Sequence, residues 1–348
     1  MKHRFLLSAM LVGIAALSML AAPIAAQQRP ANSNASTWTP PKTLWGDPDL
    51  QGIYTSDDYI SNVPFARAAQ YGTRLYLTDE EVAAQQARVQ TAAQNALQEF
   101  ANPNANVGTG PPGHWGERAR NAPRQTSLLM EPEDGQLPAM TAEGQARDAA
   151  ARRGRQGAGT ALPADSWEGY TYYIRCITRG IAGSVLPVIY GNGTEIVQGP
   201  GYVMILQEMV HEARVIPIDS RPHVGSNIKT YMGDSRGRWE GNTLVIETTN
   251  LLGERTGIGG NGGGVTFSDA AKITERLTRT SGDTISYSMR VEDPKNFTAP
   301  FTFGFPIKQE PGYQNFEYAC HEGNNGMMNQ LSAARAQEKA DAEAAKQK

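Results

Sequence analysis

Hydrophobic and polar positions alternate most regularly in the second half of the chain. Ile273, Glu275 and Leu277 stand against Thr274, Arg276 and Thr278, a two-residue period that predicts a strand over 272–280. Ser281-Gly282-Asp283 supplies a turn, and 284–292 reads as the returning strand. Arg238-Trp239, the turn Glu240-Gly241-Asn242 and residues 243–248 predict a second hairpin. Further strands are predicted at 185–190, 195–198, 202–207, 213–218, 228–232, 301–305 and 315–319, with a tight turn at Asn192-Gly193 and a bulge or bend at Gly199-Pro200-Gly201. Many short strands joined by hairpins imply a mainly β fold, an antiparallel barrel or sandwich.

The first half follows another pattern. Thr78, followed by Glu81 three positions on, is a capping box, and it predicts an Ala- and Gln-rich helix to about Phe100. Residues 101–165 show little periodicity and many Pro, Gly and Asn, with a short strand predicted at 124–130 and a helix at 141–150. So long an irregular stretch in a compact domain is either functional or wraps the surface. An Ala-, Glu- and Lys-rich helix is predicted over about 329–346 as a solvated tail.

At the N-terminus, Lys2 and Arg4 precede an apolar run from Phe5 to about Ala22 and small residues ending at Ala25-Ala26. These are the three parts of a cleaved secretory signal, and they imply a periplasmic or secreted protein. The expected organisation is a signal peptide at 1–26, a loop-rich segment with one or two helices at 27–165, an antiparallel β domain at 166–325 and a helical tail at 326–348. Elsewhere no stretch approaches the roughly 20 apolar residues a membrane span needs, so no span is expected in the mature chain.

Composition narrows the partners. The formal charge of −3 becomes −5 once Lys2 and Arg4 are removed, and the basic residues are dispersed apart from Arg152, Arg153 and Arg155. A nucleic-acid footprint needs basic residues gathered on one face, so no nucleic-acid partner is expected. Cys176 and Cys320 are the two cysteines. An even count in an oxidising compartment allows one disulfide, and two buried thiols that never meet is the alternative.

Three motifs carry a resemblance: Trp45-Gly46-Asp47-Pro48-Asp49-Leu50-Gln51-Gly52, the run from Gly233-Asp234-Ser235-Arg236-Gly237 to Val245, and Ala319-Cys320-His321-Glu322-Gly323-Asn324. Together they resemble a large family of exported bacterial proteins. That resemblance implies export and no general activity. The repeated hairpins are also similar to lipocalin-type barrels, which bind small hydrophobic molecules, an analogy of fold alone.

Histidine is scarce. His211-Glu212 ends an apolar strand, Arg221-Pro222-His223 lies in a turn, and His321-Glu322 follows Cys320. Imidazole exchanges protons near neutral pH, which makes His211, His223 and His321 the acid–base candidates. Asp234 and Glu322 are candidate orienting groups, and Arg175 and Arg236 candidate charge stabilisers. The bland alternative is ordinary loop histidines, a turn closed by Asp234 and Arg236, and Trp239 in the core. A Cys176–Cys320 bridge is expected to bring Arg175 near His321 and Glu322.

Metal-ligand spacings, a Gly-x-Ser-x-Gly elbow, a dinucleotide fingerprint and a haem-attachment motif are all missing from the sequence, so neither metal nor cofactor is expected. The glycine-rich run Gly257–Gly264 lacks the Lys-Ser/Thr of a phosphate loop and reads as a hairpin loop or lid over a barrel mouth. The expected function is cofactor-independent acid–base chemistry, of lyase, isomerase or hydrolase type, on a small apolar or aromatic molecule in a barrel pocket. The alternative is a non-catalytic periplasmic binding or carrier protein.

Overall fold

A computed structural model describes residues 38–102, 116–153, 166–219, 221–253, 258 and 266–346. The signal peptide expected at 1–26 and nearly all of Gly257–Gly264 lie outside the described residues. Pro40–Lys348 forms one compact unit.

The strands are β1 (Gly52–Thr55), β2 (Leu129–Glu131), β3 (Thr194–Gly199), β4 (Tyr202–Gln207), β5 (Ala213–Pro217), β6 (Asp234–Glu240), β7 (Thr243–Thr249), β8 (Lys272–Arg279), β9 (Thr284–Glu292) and β10 (Phe301–Gln309). They make one sheet in the order β5-β4-β3-β1-β10-β9-β8-β7-β6, and it curls into a nearly closed barrel. Strand β2 lies off this path, pairing with the start of β10 at Phe303↔Leu129, while β1 pairs with its end at Tyr54↔Gln309. The turns follow local chemistry. Pro200-Gly201 joins β3 to β4 with Gly201 at φ 81°, a left-handed position that a side chain resists. Asp283 Oδ1 accepts from the Ser281 and Thr284 hydroxyls at the β8–β9 turn.

Every ladder in the nine-strand path is antiparallel. Directions therefore alternate, and with an odd number of strands the two edges, β5 and β6, run the same way. No ladder joins them. They meet through side chains at one end of the seam, where Gly237 leaves room for β5: a Cβ there would come 2.4 Å from Ile218 Cδ1 and 3.1 Å from Ile216 Cγ2.

Inward positions of the strands, among them Ile196, Val203, Ile246, Ile273, Met289 and Phe303, belong to one continuous buried cluster. The barrel interior is thus a packed core, so the pocket expected inside the barrel has to be sought at its wall. The strand order also departs from a simple up-and-down lipocalin barrel, because β1 enters between β3 and β10.

Helix α1 (Asp79–Ala101) has the capping box that the sequence predicts: the Thr78 hydroxyl accepts from Glu81 N and Glu81 accepts from Thr78 N. Helices α2 (Ala142–Arg153), α3 (Gly180–Val185) and α4 (Asn325–Lys346) follow, and none of α4's residues is buried. Three predicted strands are absent. The run 185–190 ends α3 and continues as a loop through Pro187, an apolar stretch too short for periodicity to tell helix from strand. Residues 228–232 make only an isolated bridge, Thr230↔Leu251. Residues 315–319 run without a ladder, held instead by side chains of the 208–211 turn. Segment 27–165, read as loop-rich, contributes β1 to the middle of the sheet. Cys176 and Cys320 form a disulfide.

Candidate functional site

At the end of the seam away from Gly237, β5 and β6 bound a groove of about 330 Å³. Glu212, Arg214, Tyr231, Met232, Asp234 and Ser235 are among its lining residues. The sheet places them: Arg214 points inward from β5, Asp234 and Ser235 begin β6, and Tyr231 and Met232 follow the Thr230↔Leu251 bridge.

Behind the groove, inside the barrel, Arg214 Nη1 and Nη2 donate to Glu275 Oε2 and Oε1 at 2.7 and 2.9 Å, and the Tyr287 hydroxyl donates to Glu275 Oε1 at 2.9 Å. Burial opposes the Arg214 charge, but the facing carboxylate more than offsets it and holds its pKa above the ordinary value. Buried charges persist when paired and hydrogen-bonded in this way. On the groove wall Glu212 accepts from the Thr178 hydroxyl, and burial raises its pKa above the usual carboxylate range.

Opposite it, Asp234 is the hub of a charged array. Its Oδ2 bonds His223 Nδ1 at 2.8 Å and accepts from Val224 N at 3.2 Å, while Oδ1 pairs with Arg236 Nη1 at 2.8 Å. His223 Nε2 lies 3.5 Å from Glu247 Oε1, and Glu247 pairs with Lys272 at 2.6 Å. The imidazole is thus set between two carboxylates. Arg236↔Glu247 are directly opposite in the β6–β7 ladder, which is why this array assembles on one face.

Three sequence candidates, His223, Asp234 and Arg236, therefore come together. The others stand elsewhere. His211 directs Nδ1 to Tyr318 O at 3.0 Å, from a turn where Val210 and His211 hold φ of 66° and 41°. Such values strain a β-branched residue. His321 and Glu322 are exposed in the turn after Cys320. The Arg175 guanidinium lies 4.5 Å over the Trp167 ring and 5.5 Å over Tyr172. Trp239 packs against the core.

Sequence reasoning missed the role of Arg214 and Glu275, and used Glu212 only as a neighbour of histidine. The signal for Glu275 was present: it occupies the apolar register of β8 between Ile273 and Leu277. Among the described residues no group of three or more His, Cys, Asp or Glu side chains is placed to hold a metal ion. No helix of the described residues is long and apolar enough to cross a membrane. No family model, curated protein or solved structure matches the chain.

Proposed function

We propose that the chain is an exported, cofactor-independent acid–base enzyme, of lyase, isomerase or hydrolase type, working on a small molecule in the seam groove. The observation that carries this reading is the pairing of unlike walls. One presents a carboxyl group, Glu212, whose burial favours the protonated form. The other presents Asp234, tied to a guanidinium and an imidazole. Carboxyl groups in such different environments divide acid and base roles between them. Glu212 gives up or takes a proton on one side of the substrate, the Asp234–His223 pair serves the other, and Arg236 keeps Asp234 in place. Tyr231 and Met232 supply apolar surface for an aromatic or aliphatic body. His211, His321, Arg175 and Glu322 have no step in this scheme. Export is supported by the basic, apolar and small-residue pattern of the N-terminus and by the disulfide.

The test is turnover of a panel of small aromatic esters, hydroxy acids and enones by the disulfide-bonded protein, followed by mass spectrometry. Glu212→Gln and His223→Gln are each expected to lower kcat by about a hundredfold or more. Turnover unaffected by either substitution would sink the proposal. Saturable binding without any turnover would favour the carrier instead.

A further inference from the structure

Arg179 heads the fully buried side chains by size and is 1 % exposed. Among the described residues it has no carboxylate partner, and its Nε and Nη2 groups are buried and donate to no acceptor. These two groups share one edge of the guanidinium, the edge that grips a carboxylate through parallel bonds. Arg214, another buried arginine, has Glu275 for that purpose.

Aromatic groups surround Arg179. Its Cζ lies 5.7 Å from the centre of the Tyr173 ring. The Tyr173, Tyr190 and Tyr318 hydroxyls lie close together: burial, and next a neighbouring tyrosine, raises the pKa of Tyr173 and of Tyr318, and the Tyr190 and Tyr318 rings stack at 6.4 Å. All three tyrosines are only half-buried, so they lead from Arg179 to the surface. The Cys176–Cys320 disulfide and the His211–Tyr318 hydrogen bond hold the two chain segments together here. Val188, Met209 and Val210 pack beneath the rings. Burial lowers the Arg179 pKa to about 10, so the guanidinium remains charged at neutral pH.

We propose that Arg179 and the hydroxyls of Tyr173, Tyr190 and Tyr318 form a binding site for the carboxylate of a small aromatic acid. One guanidinium among neutral hydroxyls matches a single negative charge, which favours a carboxylate over a phosphate dianion. Stacked phenol rings favour a flat, unsaturated body. The site uses no residue of the seam scheme, so either reading can fail without the other.

Calorimetric titration of the full disulfide-bonded chain with benzoate tests it, with benzamide and inorganic phosphate as comparators. Saturable benzoate binding is expected, about tenfold or more weaker for benzamide, which lacks the charge. Arg179→Lys keeps the charge without the fork and is expected to weaken benzoate about tenfold. Tyr190→Phe and Tyr318→Phe each remove one hydroxyl and carry the question if the buried arginine cannot be replaced without unfolding. In the unaltered protein, benzoate should also shift one arginine Nε–H resonance. Absence of benzoate binding, equal binding of benzamide, or affinity unchanged in all three variants would overturn the site. Phosphate binding tighter than benzoate would overturn the carboxylate assignment.

Discussion

Arg214 on β5 and Glu275 on β8 face each other inside the barrel through two parallel hydrogen bonds, and neither is in the same hairpin as the other. The pair spans the seam that no backbone ladder closes. Breaking a buried pair from one side strands the remaining charge. Glu275→Gln is therefore expected to destabilise the fold by about 3–5 kcal/mol. The double change Arg214→Met with Glu275→Leu strands no charge and leaves only the Tyr287 hydroxyl without its acceptor, so it is expected to recover part of that loss. Urea unfolding of the single and double variants, read as a mutant cycle, checks this.

Gly237 tests the seam from the packed end. A methyl group at this position meets Ile218 Cδ1, the mobile end of a side chain, before it meets Ile216. Gly237→Ala is expected to cost about 1–3 kcal/mol, and Gly237→Val more, because overpacking forces β5 away from β6. Thermal unfolding gives the stability, and amide exchange on β5 shows whether that strand is the one released.

The disulfide joins residues 144 apart in sequence. Closing so long a loop restricts the unfolded chain, and replacing both cysteines by serine is expected to lower stability by ~4–5 kcal/mol on the chain-entropy account. Unfolding with and without reductant measures it. A negligible difference would mean that the 166–179 and 315–324 segments are secured by other contacts.

Asp57 sets a pH dependence. Its Oδ1 accepts from Asn192 Nδ2 at 3.1 Å, and Glu117 Oε2 accepts from the same amide at 2.8 Å. Burial, and next the Glu117 charge, raise the Asp57 pKa to about 8. A carboxyl group with a raised pKa binds its proton more tightly in the folded state. Its stabilising contribution is complete below about pH 4, the unfolded value, and is lost as pH rises towards about 8. Stability is thus expected to fall over that window, and Asp57→Asn, neutral throughout, to flatten the fall. Urea midpoints measured at successive pH values decide the matter.

How far the chain disclosed all this varies with the kind of signal. The β8–β9 hairpin and the α1 cap were legible because alternation and capping are local, each fixed by residues within a few positions. The segment 185–190 was not, since a six-residue apolar run fits α3's end as well as a strand. The Asp234 array was partly visible, as the motif kept Asp234 and Arg236 together, but Glu247 joins only through the β6–β7 register. Arg214 and Glu275 stood in apolar registers of their strands, an anomaly readable from sequence alone. That they pair with each other depends on the curl of the whole sheet, which no local pattern encodes.

The opening between β5 and β6 is a matter of parity. With nine members, the alternating pattern arrives back at its start out of phase, and no exchange of one amino acid for another can alter a count. Only gaining or losing a whole strand would let the ring zip shut in the style of its other pairings. The cleft is accordingly tied to topology rather than to the residues that line it, which leaves those residues free to vary in chemistry while the cleft itself persists.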